Sequence, residues 1–193
     1  MIRILNIVCA AGDLAARLAR AMSWLVLLAI IVVVVSVAGS AAGLSEILSW
    51  NGDTLLFGER LTLTGLGELQ WHLFGLLVIF GGLQALSEDQ HVRVDFLYQS
   101  FGRRKKLLVN LAGHIFFLIP FLVVIIDRSL PAVELAYRSG AGSDYGGLQD
   151  RYLIKSVLPL GFVLLLFLTV CQVIEYAIRL SIPALDEEIE KVE

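Results

Sequence analysis

Few side chains in this 193-residue sequence are placed to do chemistry. The cysteines Cys9 and Cys171 fit no zinc or redox spacing, and Cys171 lies in an apolar run. His72 and His114 also lie in apolar runs, and paired histidines in a four-helix membrane bundle are a known way to ligate haem. Depth argues against that use here. At 1.5 Å per residue, His72 sits about 5 Å inside one end of its run, and His114 about 11 Å inside the opposite end of the next. In hydrocarbon about 30 Å thick they are then about 14 Å apart along the normal, whereas two axial ligands need nearly equal depth. No nucleophile–base pair, paired carboxylate or metal-ligand spacing stands out, so the sequence predicts neither catalysis nor a resident cofactor. The glycine-dense stretch Ser139 to Gly147 lacks the strand-to-helix context of a phosphate loop and reads as a flexible turn, as does Asn51-Gly52.

The elements that must carry these residues can be read from composition. The chain is 58% hydrophobic and 17% charged, against about 25% charged in soluble domains, with a mean hydropathy of +0.81. That excludes a soluble enzyme, a secreted disulfide scaffold and a disordered chain. A net charge of −3 with no strongly basic face argues against nucleic acid as a partner. Four stretches are free of Asp, Glu, Lys and Arg: 21–45, 69–87, 107–126 and 156–174, of 25, 19, 20 and 19 residues. About 20 residues span a bilayer as helix, and lipid-exposed backbone must satisfy its own hydrogen bonds. The expected fold is therefore all-α, a single membrane domain over 1–193 with four transmembrane helices.

Placing both termini and the second loop inside puts ten Lys and Arg inside and five outside, which predicts an N-in, C-in topology. A cleaved signal peptide is the competing reading of the N-terminus, given the small residues from Ser36 to Ala42, but the apolar run is long for one. Residues 1–20 instead suggest an amphipathic surface helix, with Leu5, Val8, Leu14 and Leu18 on one side and Arg17 and Arg20 in headgroups. A second interfacial helix is expected over 92–102, where Val94, Leu97, Tyr98 and Phe101 form an apolar stripe. The adjoining run Arg103, Arg104, Lys105, Lys106 is a topology signal and a candidate anchor to anionic membrane lipid. No charged residue lies inside the four stretches. Gln70, His72, Gln84, Asn110, His114 and Gln172 remain as interhelical hydrogen-bonding groups. Pro120 is a candidate kink.

Around the second loop the sequence resembles a known family. Gly82-Leu-Gln-Ala-Leu86 followed by His91-Val-Arg-Val-Asp95 resembles the signature of the small, DctQ-like membrane subunit of tripartite ATP-independent periplasmic (TRAP) transporters. Glu68-Leu-Gln-Trp-His-Leu-Phe74 resembles the start of that family's second helix, and Tyr152-Leu-Ile-Lys155 with Leu158-Pro-Leu-Gly161 the start of its fourth. Tyr152 stands where a Trp is common. The resemblance covers roughly residues 20–180. It implies a bacterial inner-membrane scaffold, not an enzyme, that packs against a large transport subunit. That partner would hold the substrate and sodium sites, and a periplasmic binding protein would deliver an organic anion such as a carboxylate.

The same motifs supply candidate interface or anchor residues. Glu68, Gln70 and Trp71 mark the outer end of the second span. His91, Arg93 and Asp95 form either a polar clasp onto the large subunit or a solvated turn capping the interfacial helix. Arg151 and Lys155 either touch the binding protein or snorkel toward headgroups. Pro159 lies in the fourth-span motif. Two other functions stand beside the scaffold reading: a haem- or quinol-binding bundle, and a self-sufficient small transporter or channel.

Overall fold

The computed structural model describes residues 20–88 and 100–182, together with Ala10, Gly12, Leu14, Arg17, Leu18 and Tyr98. Its elements in chain order are helix α1 (Leu25–Ala41), strands β1 (Glu46–Thr54) and β2 (Gly58–Thr62), and helices α2 (Leu63–Ser87), α3 (Arg103–Gly113), α4 (Ile119–Arg138) and α5 (Arg151–Ser181). A π-helical turn, His114–Leu118, joins α3 to α4. Four helical runs are long and apolar enough to cross a membrane: Arg20–Ala41, Leu63–Ser87, Arg103–Arg138 and Arg151–Ser181, of 22, 25, 36 and 31 residues.

The third run far exceeds its charge-free stretch. At 1.5 Å per residue its 36 residues reach about 54 Å, well beyond a core of about 30 Å. Asp127, Arg128, Glu134 and Arg138 lie in the excess, and Pro131 lies inside the helix without ending it. The π turn immediately precedes Pro120, the candidate kink, which has no N–H to give the carbonyl four residues back.

One element departs from the all-α expectation. The first loop is an antiparallel β-hairpin, with Glu46 paired to Thr62, Ser49 to Arg60 and Thr54 to Gly58. Asn51-Gly52, expected to be the turn, lies within β1. Gly52 (φ 117°) falls where the register shifts between Ser49 and Thr54, so its positive φ serves a bulge. The actual turn is Leu55 to Phe57, with Leu56 at φ 80°. Trp50 Nε1 and Thr54 Oγ1 both donate to the Gly58 carbonyl, each at 2.8 Å, and hold that turn closed.

The chain divides into two compact units. One comprises residues 19–81 and 125–162, and its core is Val32, Leu66 and Leu73, with Leu25, Ala29, Ile47, Leu61 and Leu76 packed around them. In this unit Gly161 of α5 lies against Ile79 of α2, where a β-carbon would overlap the isoleucine Cγ2. The other comprises residues 1–18, 82–124 and 163–193, with Leu83, Leu86, Leu122, Leu168 and Cys171 buried. Its Thr169 is fully buried, and its hydroxyl is satisfied by the Leu165 carbonyl one turn back, at 2.7 Å. Leu14, Arg17 and Leu18 have helical backbone and are exposed, whereas Leu5 and Val8 lie outside the described residues. The interfacial helix expected over 92–102 lies largely outside them too.

Candidate functional site

A dense polar cluster is built on the first turns of α2. Thr62 caps that helix: its hydroxyl accepts the Gly65 N–H at 3.0 Å and donates to the Gly146 carbonyl at 2.8 Å. One turn further on, the Glu68 carboxylate faces the segment Ser139 to Asp150. Oε1 accepts from Ser143 Oγ at 2.7 Å and from the Arg151 guanidinium at 2.9 Å, and Oε2 accepts from the Leu148 N–H at 2.9 Å. The side chains of Glu68 and Arg151 are 17% and 34% exposed, and Leu148 is fully buried. A carboxylate so enclosed is kept charged by donors on three sides.

The loop's glycines make this wrap possible. Gly146 has φ 69°, and a β-carbon on Gly147 would lie 2.5 Å from Glu68 Oε2 and 2.8 Å from Ser143 Oγ. The flexible turn expected over Ser139 to Gly147 is thus a bonded clamp. It is also tied to the hairpin, through Gln149 N–H donating to the Leu56 carbonyl at 2.7 Å. Between hairpin and clamp opens a cleft of about 800 Å³, lined by Glu46, Asp53, Glu59, Arg60, Tyr145 and Gln149 among others. Arg60 pairs with Glu46 at 2.8 Å, which leaves the lining acidic.

Glu68 and Arg151, read from sequence as separate anchors, are therefore partners, and Arg151 points into the protein rather than snorkelling. Gln70 is half-buried, Trp71 is 76% exposed, Lys155 is exposed and Pro159 is buried in α5. Trp71 and His72 line a small apolar pocket of about 150 Å³ with Ile79, Ile154 and Leu158. His91, Arg93 and Asp95 lie outside the described residues. Arg103, Arg104, Lys105 and Lys106 form the first turn of α3. Sequence reasoning missed Ser143 and the Leu148 amide, because a glycine-rich loop carries no sign of which carboxylate it will wrap.

A second polar group lies in the other unit. His114 Nδ1 faces the Asn110 carbonyl at 2.7 Å and Nε2 faces Gln172 Oε1 at 3.0 Å, while Gln172 Nε2 donates to the Leu86 carbonyl at 2.8 Å. The Tyr176 ring stands edge-on to His114, at 5.5 Å between centroids. Both ring nitrogens of His114 thus meet protein oxygens. His72 Nδ1 faces the Glu68 carbonyl at 2.5 Å. Among the described residues no three His, Cys, Asp or Glu side chains gather as a metal site.

Comparison with known families decides between the readings. Residues 55–179 match the family described as tripartite ATP-independent periplasmic transporters, DctQ component. The chain belongs to the DctQ family. Its match begins at the hairpin turn and runs through α2, α3 and α4 into the last turns of α5, so the Glu68 clamp and the His114–Gln172 link both fall inside it. The DctQ component is the small subunit of a TRAP transporter, a transport component and not an enzyme, and the four long apolar helices make this chain a multi-pass membrane protein. No curated protein and no solved structure matches the chain.

Proposed function

We propose that this DctQ subunit is the fixed scaffold of a sodium-driven TRAP transporter in the bacterial inner membrane. It packs against a large membrane subunit that holds the substrate and sodium sites, and a periplasmic binding protein delivers an organic anion, of carboxylate type, to the complex. The observation that carries this reading is the family match over residues 55–179, on a chain whose four charge-free stretches hold no Asp, Glu, Lys or Arg for ion coupling. The half-buried polar groups support it as well: Glu68, His114 and Gln172 are bonded within the chain, as suits a stator. The engagement of both His114 nitrogens speaks against the haem alternative.

Both termini are cytoplasmic in this reading. Four crossings return the chain to its starting side, and the Lys and Arg bias places that side inside. The hairpin, the acidic cleft and the Glu68 clamp then face the periplasm. The deciding experiment is uptake in cells that carry the large subunit and binding protein, with and without this chain, alongside co-purification from solubilised membranes. The scaffold reading requires loss of uptake without the chain and recovery of the large subunit with it. Full uptake in its absence overturns the reading.

A further inference from the structure

We propose that the first turn of α3 is a headgroup site for an anionic phospholipid, formed by Arg104, Lys105 and Lys106. Several arginines among the described residues find a carboxylate partner within the chain. Arg60, Arg138, Arg151 and Arg179 each close onto a carboxylate, of Glu46, Glu134, Glu68 and Glu175. Among the described residues no carboxylate pairs with Arg104, Lys105 or Lys106, and the eleven residues of α3 include no acid. These consecutive cations repel one another and sit at the positive end of the helix dipole, so an external anion is the group that offsets both costs.

The site is organised rather than a loose basic tail. The Tyr98 hydroxyl and the Asn110 amide exchange hydrogen bonds at 2.9 and 3.2 Å, which fixes the phenol ring. Lys106 Nζ then rests 5.3 Å from the centre of that ring. The ammonium is held by an aromatic face, which leaves its hydrogen-bond donors for a phosphate oxygen.

The apolar surface next to the cations selects a lipid over a free anion. The helix runs directly into the charge-free stretch 107–126. Leu108 and Val109 are about half exposed, and Phe116 and Phe117 are 71% and 77% exposed. A ligand with a phosphate at the cations and an acyl chain along these side chains satisfies both parts of the surface. The proposal rests on the membrane placement of the helices and not on the transporter reading, so each stands or falls separately.

The test uses the full chain purified in neutral detergent and offered phosphatidylglycerol or phosphatidylcholine, with retained lipid read by native mass spectrometry and stability by thermal unfolding. Each cation at an anionic surface contributes enough that the wild type should prefer phosphatidylglycerol by about tenfold or more. The variant R104Q/K105Q/K106Q should show no preference, and the charge-keeping R104K/K105R/K106R should retain most of it. Inorganic phosphate alone should leave the unfolding temperature unchanged. Should the glutamine variant fail to fold, a salt series on the wild type is the second arm. Raising salt from about 0.15 M to about 1 M shortens the screening length from about 8 Å to about 3 Å and should abolish the preference. Equal retention of the two lipids by the wild type, an undiminished preference in the glutamine variant, a salt-independent preference, or stabilisation by phosphate alone would each overturn the proposal.

Discussion

The Glu68 carboxylate in α2 accepts the Arg151 guanidinium at 2.9 Å across 83 residues of sequence. The same carboxylate holds Ser143 and the Leu148 amide, so one side chain fastens the start of α5 and the preceding loop to α2. Removing it as Glu68→Ala leaves a guanidinium, a hydroxyl and a buried amide without their acceptor. An unsatisfied buried group costs about 1–3 kcal/mol, and the partial exposure of Arg151 keeps the ion-pair share toward the lower end. We expect a loss of about 2 kcal/mol in detergent unfolding, with faster amide exchange confined to residues 139–150. In a double-mutant cycle with Arg151→Gln the two losses should be less than additive; strict additivity would show that the pair is not coupled.

Gly147 tests the same clamp from the backbone side. A methyl group there meets a carboxylate held by three donors and cannot displace it without breaking those bonds. Gly147→Ala should destabilise the protein by about 1–3 kcal/mol, the range for overpacked sites. The cost should largely vanish in the Glu68→Ala background, where the obstructing carboxylate is absent. A loss that persists undiminished there would place the strain elsewhere.

The contrast between these residues and the helices marks what the sequence could reveal. A helix in lipid needs only the local absence of charge over about 20 residues, so the four long apolar helices were legible by inspection. Helix ends beyond the bilayer were not. The continuation of α4 through Asp127 and Glu134 to Arg138 is charged and carries Pro131, which locally reads as a helix breaker. The hairpin was hidden because Asn51-Gly52 is a familiar turn signal, yet the turn formed at Leu56, a residue that rarely adopts positive φ. Glu68 and Arg151 were both singled out, but their pairing depends on which face of each helix meets the other, and periodicity in a chain that is apolar all round does not encode that.

Gly161 shows how close two of these helices come. Its α-carbon lies against Ile79, whose branched side chain is stiff at χ1 in a helix and cannot turn away. Gly161→Ala should therefore lower stability by about 1–3 kcal/mol, despite the general preference of helices for alanine. The pair Ile79→Ala/Gly161→Ala should recover part of that loss by restoring room at the contact. Thermal unfolding of the four proteins in one detergent measures both effects, and an alanine at 161 that stabilises the chain would contradict the close approach.

Gln172 orders the polar link between His114 and the Leu86 carbonyl through its two different ends: the amide oxygen faces the imidazole, and the amide nitrogen faces the carbonyl. Replacement by leucine removes both bonds but introduces no repulsion. Interhelical hydrogen bonds in membranes average about 0.6 kcal/mol and reach about 1.7, so Gln172→Leu should cost about 1 kcal/mol. Gln172→Glu keeps an oxygen toward His114 while setting another against the Leu86 carbonyl, where a donor is required. The glutamate should therefore be the less stable variant near neutral pH, and lowering the pH enough to protonate it should narrow the gap, since a carboxylic acid regains one donor. If glutamate and leucine proved equally stable across that range, the amide would have no fixed orientation, and the link from α5 to the Leu86 carbonyl would not depend on its donor.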